Sequence, residues 1–194
     1  MSLTPQLLLS AYAQGVFPMA HEDGAIYWYQ PDPRAIMPLD DRFHVSRSLQ
    51  RTLAKDPFQF HVNTAFEAVM RFCAAPAPGR ETTWISEEIV AAYLRLHRLG
   101  FAHSVEAWEG GKLVGGLYGV AVGGFFAGES MFSRRRDASK AALVHLVQRL
   151  RQRGFQLLDV QFMTDHLARF GAFEVRDETY QRLLQAALQV RTQF

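Results

Sequence analysis

The chain has 194 residues, 48% of them hydrophobic, which is enough for one domain with an appendage or for two small domains. Its single cysteine, Cys73, excludes an intramolecular disulfide and a cysteine-based metal site, and the formal net charge of +2 does not favour any class of partner. No apolar run approaches the about 20 residues that span a bilayer, so we predict a cytoplasmic protein without a membrane partner.

The first part of the chain predicts one helix followed by a loop. Thr4 and Pro5 suit an N-cap and a first helical position, and Gly15 suits a stop, which predicts a helix over residues 5–14. The next stretch, GVFPMAHEDGAIYWYQPDPR, is rich in proline and aromatic residues and is predicted to be a loop. We place a boundary at its end, between a small N-terminal domain, residues 1–35, and a larger domain, residues 36–194.

The first half of the larger domain predicts short strands and helices. RAIMPL and FQFHVN are predicted to be extended, and SRSLQRTLAK to be helical. Thr64 with Glu67 forms a possible capping box for the helix TAFEAVMRFC. The loop APAPGRETT leads to Trp84, and Ser86 then caps a helix that ends at Gly100.

The second half predicts an antiparallel meander and a central helix. HSVEAWE, KLVGGLYGVAV and FFAGESMF are linked by Gly-Gly pairs, which suit tight hairpin turns. Asp137 or Ser139 starts a helix that ends at Gly154. The strand FQLLDVQF, the short helix TDHLARF and the strand AFEVR follow. The fold class is therefore α/β (α+β), with a mostly antiparallel mixed sheet.

The stretch GGFFAGESMF excludes two familiar enzyme motifs. Gly123, Gly128 and Ser130 match the glycines and hydroxyl of a phosphate-binding P-loop, but Glu129 replaces the lysine that meets the phosphates. GESMF also lacks the second glycine of the G-x-S-x-G nucleophile elbow. The stretch therefore indicates neither an NTPase nor an α/β-hydrolase.

The strand FQLLDVQF carries a second group of polar residues. Because side chains alternate across a sheet, Leu158, Val160 and Phe162 share one face, which is predicted to be core. Asp159 and Gln161 share the other face. They are predicted either to border a cleft or to satisfy backbone groups.

The order of these elements resembles that of GNAT-type acyltransferases, and HLARFGAFEV is similar to the segment that closes that fold. The resemblance implies a GNAT-like catalytic domain and an acetyl-CoA-dependent N-acetyltransferase as one possible activity. The coenzyme loop of that fold, R/Q-x-x-G-x-G/A, corresponds here to RRRDASK, where Asp137 replaces the first glycine. An aspartate repels a pyrophosphate at a helix N-terminus, so this activity is kept as the alternative.

The chain is more specifically similar to the leucyl/phenylalanyl-tRNA protein transferase family. The similarity is carried in order by GVFPMA, PDPRAIMPL, TWI, AYLRLHRLGFAHSVEAW, LVGGLYGV, FFAGESMFSRRRDASKAAL and LLDVQFMTDHLARFGA. It implies transfer of leucine or phenylalanine from Leu-tRNA or Phe-tRNA to the N-terminal amine of proteins that begin with Arg or Lys, which marks them for N-degron proteolysis. It implies no metal and no coenzyme.

The resemblance implies catalytic roles for Glu129, Asp159 and Gln161. Glu129 is expected to hold the cationic end of the acceptor or its amine. Gln161 is too weakly basic to be a general base, and it is expected to accept a hydrogen bond from the amine while Asp159 orients it. The family also places the side chain of the donor amino acid in an apolar pocket. From the periodicity of apolar residues alone, the residues that match this pocket would be assigned to the hydrophobic core. These are Leu117, Phe126, Leu143, Leu146, Leu150 and Leu158.

Aromatic and basic residues are expected to bind the tRNA. Trp84, Tyr93 and Tyr12 match family aromatics that contact the terminal adenosine, and Met19 stands where members often have tryptophan. The chain starts without the extra N-terminal segment common in the family, which predicts a trimmed first domain. A basic run is expected to meet tRNA phosphates, or else to be a solvated helix face. It consists of Arg134, Arg135, Arg136 and Lys140. A third possibility is a non-catalytic protein that binds tRNA or protein N-termini.

Overall fold

A seven-stranded sheet organises the computed structural model, which describes residues 3–55, 57–76 and 82–194. The strands are β1 Phe17–Ala20, β2 Ile26–Tyr29, β3 Arg34–Met37, β4 Gln59–Val62, β5 Ala102–Glu109, β6 Lys112–Val122, β7 Phe125–Ser133, β8 Leu157–Gln161 and β9 Phe173–Val175. The helices are α1 Pro5–Ala13, α2 Arg47–Leu53, α3 Phe66–Ala74, α4 Glu87–Arg98, α5 Ala138–Gln152, α6 Asp165–Ala168 and α7 Asp177–Leu188.

The large sheet has the strand order β4-β5-β6-β7-β8-β3-β9. Its neighbouring strands are antiparallel except for β7 and β8, which are parallel and are connected through α5. The prediction of a mixed, mostly antiparallel sheet is confirmed. β1 and β2 form a separate two-stranded sheet.

The parallel strands β7 and β8 pair over only part of their lengths. The paired residues are Phe125–Ala127 of β7 and Leu157–Asp159 of β8. Beyond them β7 continues to Ser133 along β6, and β8 continues to Gln161 beside β3. The sheet therefore has a wedge-shaped gap between its two central strands.

Apolar side chains cover both faces of the sheet. One cluster joins α1, α3, α4 and α7, and Tyr93, at 0% exposed, is a central member. The other cluster packs α5 against the opposite face through residues such as Leu146 and Val147. Leu8, Tyr12 and Phe17 from the N-terminal part belong to the first cluster. The domain boundary near residue 35 stays a prediction. In the described ranges no helix is both long enough and apolar enough to cross a bilayer.

The prediction of a loop after α1 is wrong for the central part of this stretch, which forms the hairpin of β1 and β2. The aromatic residues of IYWY favour a strand over a loop. The turn between the strands is closed by hydrogen bonds from His21 N to Ala25 O at 2.9 Å and from Gly24 N to His21 O at 2.9 Å. Gly24 adopts a φ of 80°, a conformation that glycine allows without strain.

The capping box predicted at Thr64 and Glu67 is also wrong. The N-cap of α3 is Ala65, and no side chain caps it from within the helix. The buried Glu106 of β5 takes that role, because its Oε1 accepts hydrogen bonds from Thr64 N at 2.9 Å and from Ala65 N at 2.8 Å. A carboxylate from another strand thus satisfies the helix terminus.

Most other helix limits follow local signals. Thr4 and Ser86 accept the N-cap hydrogen bonds of α1 and α4, as predicted. α5 begins after Asp137, which has a left-handed φ of 65°. α7 is not among the predicted elements, although its buried residues recur at helical spacing. Part of the predicted loop APAPGRETT, residues 77–81, lies outside the described residues.

Candidate functional site

A cavity of about 330 Å³ lies in the wedge between β7 and β8. Residues 128–131 line it from β7, and residues 160–162 line it from the end of β8. Its apolar lining includes Leu117, Met131, Leu143, Leu146, Leu158 and Leu167. Its polar lining includes Tyr118, Glu129, Ser130, Gln161, Thr164 and His166. One space therefore combines an apolar wall with a cluster of hydrogen-bonding groups.

Glu129 reaches this cavity from a β-bulge. Tyr118 of β6 is opposite Ser130, whereas the next residue, Gly119, is opposite Gly128, so Glu129 is an extra residue in β7. Bulges bend a strand and redirect a side chain, often beside an active site. A Cβ at Gly119 would lie 2.2 Å from the carbonyl oxygen of Ala127, so only glycine fits opposite the bulge.

The two carboxylate oxygens of Glu129 have different surroundings. Oε1 accepts hydrogen bonds from the Tyr12 hydroxyl at 2.6 Å and from Gln161 Nε2 at 3.1 Å. The Tyr12 hydroxyl is also hydrogen-bonded to the Tyr93 hydroxyl. Oε2 is buried and has no hydrogen-bond partner. Glu129 therefore has one oxygen held by the protein and one that remains available.

The pKa of Glu129 is raised to about 7, chiefly because the carboxyl group is buried and in smaller part because of the nearby charge of Asp159. The hydrogen bonds from Tyr12 and Gln161 and the charge of Arg34 act in the opposite direction. At neutral pH the carboxyl group is therefore close to equally protonated and ionised. A cation that binds beside it favours the ionised form.

Asp159 is fully buried and does not line the cavity. Arg34 donates three hydrogen bonds to it, from Nε to Oδ1 at 3.0 Å and to Oδ2 at 3.2 Å, and from Nη2 to Oδ2 at 2.7 Å. The Tyr180 hydroxyl also donates to Oδ2, at 2.8 Å. Arg34 also donates to the carbonyl of Gly15 at 2.8 Å, which ties the end of α1 to the sheet. Asp159 is thus the centre of a buried ion-pair network.

Gln161 links this network to the cavity. Its backbone N–H donates to Asp159 Oδ1 at 2.8 Å, and its φ of 65° is in the left-handed region, which is rare for a residue other than glycine. Its side-chain Nε2 donates to Glu129, which directs that nitrogen away from any substrate. Asp159 therefore orients Gln161 through the backbone N–H of Gln161. The side-chain carbonyl oxygen of Gln161 remains free to accept a hydrogen bond.

Comparisons with known proteins agree on one family. A family model described as leucyl/phenylalanyl-tRNA protein transferase matches residues 36–185, and a model of that family's N-terminal domain matches residues 1–32. A leucyl/phenylalanyl-tRNA–protein transferase of Herpetosiphon aurantiacus is 59% identical over 192 residues, covering 99% of this chain and 98% of that protein. A protein of the same name from Rhodospirillum rubrum is 53% identical over 195 residues, covering 100% of this chain and 91% of that protein.

The chain belongs to the leucyl/phenylalanyl-tRNA protein transferase family. Among solved structures, that of L-PGS from Bacillus licheniformis is similar to this transferase-family chain with a TM-score of 0.52 and 12% identity. The similarity covers 97% of this chain and 71% of that one. At this identity the likeness concerns the fold alone. The GNAT alternative is not favoured by these comparisons.

The residues predicted for the donor pocket of the transferase divide into two groups. Leu117, Leu143, Leu146 and Leu158 line the cavity. Phe126 and Leu150 do not line it, and both are fully buried in the core. Leu150 lies about 10 Å along α5 from Leu143, too far to reach the same space. The face of β8 predicted as core is also partly wrong, since Val160 and Phe162 line the cavity.

The predicted tRNA-binding aromatics also divide. Trp84 and Met19 line the cavity. Tyr12 and Tyr93 do not. They are buried, and instead of offering a ring to a base they support Glu129 through their hydroxyls. The helical spacing of Tyr12 and Tyr93 is compatible both with stacking on a base and with supporting Glu129. Periodicity shows which face of a helix is buried, but it does not show which partner a hydroxyl contacts.

The basic run lies at the turn between β7 and α5, outside the cavity lining. Arg134, Arg135 and Arg136 are exposed, and Arg134 stacks over Phe72 at 3.7 Å from the ring centroid. Lys140 Nζ is 2.8 Å from Asp137 Oδ1. The run is therefore an exposed positive surface of the transferase. Across the described ranges no group of His, Cys, Asp and Glu is arranged to hold a metal ion.

Several residues of the site were not predicted from sequence, and three of them have clear roles in the structure. Arg34 and Tyr180 hold Asp159, and Tyr118 lines the cavity. Arg34 and Tyr118 both lie in segments that carry the family resemblance, PDPRAIMPL and LVGGLYGV. That resemblance is the signal that could have found them.

Proposed function

We propose that the protein transfers leucine or phenylalanine from the 3′ end of aminoacyl-tRNA to the N-terminal α-amino group of proteins that begin with Arg or Lys. In the cytoplasm such a transfer marks the acceptor for N-degron proteolysis. The observation that carries this proposal is the cavity in which five leucines meet Glu129 and Gln161. Membership of the transferase family supports it.

The apolar wall is assigned to the side chain of the donor amino acid. Leu117, Leu143, Leu146 and Leu158 present only hydrocarbon, which suits an unbranched or aromatic apolar side chain. Phe126 and Leu150 support this wall from the core. β-Branched isoleucine is rejected by shape, although one methylene discriminates by only about 1–3 kcal/mol.

The terminal adenosine and the phosphates of the tRNA are assigned to the outer part of the site. Trp84 stacks on the base, and the Met19 side chain contacts it in place of a second aromatic ring. The exposed run from Arg134 to Arg136, with Lys140, contacts phosphates, so donor binding weakens as salt is added. Tyr12 and Tyr93 act on the acceptor side, through Glu129.

The reaction needs little chemical activation, because the donor is already an ester. The amine nitrogen attacks the ester carbonyl carbon, the new C–N bond forms, and the C–O bond to the 3′-oxygen breaks. An α-amino group has a pKa of about 7.7–8.0, so part of it is neutral at cellular pH. Correct positioning of amine and carbonyl can supply much of the acceleration, since effective molarities reach about 10⁵ M or more.

Glu129 and Gln161 position the amine in this mechanism. The free carbonyl oxygen of Gln161 accepts a hydrogen bond from the attacking amine, and Glu129 Oε2 attracts the cationic form. Because the pKa of Glu129, about 7, lies near that of the amine, the carboxylate can take the proton that the amine loses. That proton later passes to the departing 3′-oxygen. Asp159 contributes by holding the backbone of Gln161.

The acetyl-CoA alternative is disfavoured by the start of α5. Asp137 is the N-cap of this helix, and its carboxylate is held there by Lys140 at 2.8 Å and Thr52 at 3.2 Å. A coenzyme pyrophosphate at this N-terminus would meet a negative side chain.

The proposal is tested with purified protein, radiolabelled Phe-tRNA and two peptides that differ only in an N-terminal arginine or glycine. We expect label on the arginine peptide alone, a higher rate from Phe- and Leu-tRNA than from Ile-tRNA, and no product from acetyl-CoA. Acetylation without transfer from tRNA would contradict the proposal. Equal rates from the three tRNAs would refute the shaped pocket, and ester binding without transfer would identify a non-catalytic protein.

A further inference from the structure

Unpaired buried polar atoms are concentrated at the cavity. In the ranges that the structure describes, four buried side-chain atoms have no hydrogen-bond partner: Tyr118 Oη, Glu129 Oε2, Arg149 Nε and His166 Nε2. Tyr118, Glu129 and His166 line the cavity between β7 and β8, and Arg149 does not. An unpaired buried group destabilises the folded protein, and native proteins contain few of them. Their clustering indicates that a ligand supplies the missing partners.

The hydroxyl of Tyr118 is the least expected of these atoms. The residue is 0% exposed, and its ring is fixed edge-on against Phe66 and Tyr93, each at 5.9 Å between centroids. It is opposite the bulge that carries Glu129. Burial raises its pKa well above the ordinary value, so the hydroxyl stays neutral. A fixed neutral hydroxyl can accept a hydrogen bond from a cation but cannot turn to solvent to find one.

Two further acceptors belong to residues that line the same cavity. Glu129 Oε2 has no partner, whereas Glu129 Oε1 is already bonded to Tyr12 and Gln161. The Gln161 side chain uses its nitrogen for that bond, which leaves its carbonyl oxygen available. The lining therefore offers three oxygen acceptors from three different strands or strand ends.

We propose that Tyr118 is a further substrate-binding residue, whose hydroxyl joins Glu129 Oε2 and the Gln161 carbonyl oxygen in a three-acceptor site for a primary ammonium group. This inference rests on the proposed function, and the ammonium is the N-terminal α-amino group of the acceptor protein. A primary ammonium carries three N–H donors, one for each acceptor. An ammonium loses two protons on becoming an amide. The first passes to Glu129 and on to solvent, and the amine then turns away from Glu129 so that its lone pair meets the ester carbonyl. The second, lost as the C–N bond forms, passes through Glu129 to the departing 3′-oxygen.

The geometry favours an ammonium over the guanidinium of an acceptor arginine. A guanidinium binds a carboxylate best with two parallel hydrogen bonds to its two oxygens. Glu129 has only one oxygen to offer, because Tyr12 and Gln161 occupy the other. The basic side chain of the acceptor is therefore bound outside this site, and the α-amino group is bound within it.

The decisive experiment compares Tyr118→Phe with the wild type on two acceptors, an N-terminal arginine peptide and the same peptide with an N-methylated α-amine. The wild type is expected to prefer the primary amine by about tenfold or more, because a secondary amine leaves one acceptor unpaired. Tyr118→Phe is expected to lower kcat/KM for the primary amine about tenfold and to reduce that preference. Its melting temperature is expected to be unchanged or higher, because the variant loses an unpaired buried hydroxyl.

Tyr29→Phe is the matched control, since it removes a hydroxyl that is paired with His21 and does not line the cavity. It is expected to keep the wild-type rate and the wild-type preference for the primary amine. Wild-type rates and preference in Tyr118→Phe would overturn the inference, and so would a loss of stability with an unchanged preference. Equal transfer to both amines by the wild type would overturn it without any variant. Failure of the wild type to label either peptide would refute the proposed function itself.

Discussion

Asp159 and Glu129 are carboxylates on neighbouring strands, and their surroundings differ in a way that separates structure from chemistry. Asp159 accepts hydrogen bonds on both oxygens, from Arg34, from Tyr180 and from the backbone of Gln161. Glu129 accepts two on one oxygen and none on the other. A carboxylate with every position filled holds the shape of a site. A carboxylate with an empty position can take a substrate.

The same comparison shows which of the two carboxylates stabilises the folded protein and which destabilises it. A buried ion pair such as that of Asp159 is costly to break, because removal of one partner leaves an uncompensated charge. The unpaired oxygen of Glu129 is instead a cost that the folded protein carries. Substitutions at the two positions should therefore have opposite effects on stability, although both should reduce transfer.

Asp159→Asn is expected to have the largest effect on stability. It leaves the buried Arg34 without a counter-charge and should lower the free energy of unfolding by about 3–5 kcal/mol. Transfer should also fall, because an amide NH₂ replaces one of the two oxygens that accept from Arg34, Tyr180 and Gln161, which disturbs the network that positions Gln161. Urea denaturation measures the first effect and the peptide assay the second. A folded variant with wild-type stability and transfer would show that the network is not needed.

Glu129→Gln is expected to lower transfer by about 10- to 100-fold, from loss of a charged hydrogen bond. It should nevertheless be more stable than the wild type at pH 8. The folded pKa of Glu129, about 7, is above its ordinary value of 4.5, so its contribution to stability is present below pH 4.5 and is lost as pH rises through 7. Thermal melts of both proteins at pH 5 and pH 8 measure this difference.

The pH dependence of the transfer rate provides the control for the prediction about Glu129. In the wild type, kcat/KM should rise through pH about 7 as Glu129 ionises, in addition to the rise from the acceptor amine. The inflection near 7 should be absent in Glu129→Gln. A melting-temperature difference that is the same at both pH values would contradict the assignment of this pKa to Glu129.

Trp84→Ala should have an intermediate effect, confined to the donor. Loss of base stacking is expected to weaken binding of aminoacyl-tRNA by about 1–3 kcal/mol and to leave the KM for the peptide unchanged. Trp28→Ala is the matched control, because Trp28 is exposed on β2 and does not line the cavity. Equal effects of the two substitutions on the KM for tRNA would argue against stacking at Trp84.

Arg136→Gln should have the smallest effect. Its exposed side chain has only a distant ion pair, 3.8 Å from Asp137, so its loss should not alter stability measurably. If it contacts a phosphate, tRNA affinity should fall a few-fold and the slope of log affinity against log salt should decrease by about 1. Arg182→Gln, exposed on α7, is the control that should leave the slope unchanged.

The sequence predicted elements whose signals are local. Thr4 and Ser86 identify the starts of α1 and α4, and the Gly-Gly pairs identify the meander, because caps and turns depend on a few neighbouring residues. The capping of α3 by Glu106 could not be predicted in this way, since it depends on a residue more than 40 positions away.

The site was predictable in composition but not in arrangement. Glu129 and Gln161 were expected at the cavity and line it, together with four of the six predicted pocket residues. The partners of Asp159 were not foreseen, because Arg34 is separated from it by 125 positions and meets it only through strand pairing. Tyr12 and Tyr93 gave the same apolar periodicity whether their rings met a base or their hydroxyls supported Glu129.

The wedge between β7 and β8 has a consequence for how the site responds to its substrates. Because strands of one sheet carry Glu129 and Gln161, this part of the cavity wall should be in place before either substrate arrives, and little reorganisation of it should accompany the reaction. The paired residues Phe125–Ala127 and Leu157–Asp159 close the narrow end of the gap. Their backbone amides should therefore exchange with deuterated solvent at similarly slow rates in the free and the substrate-bound protein.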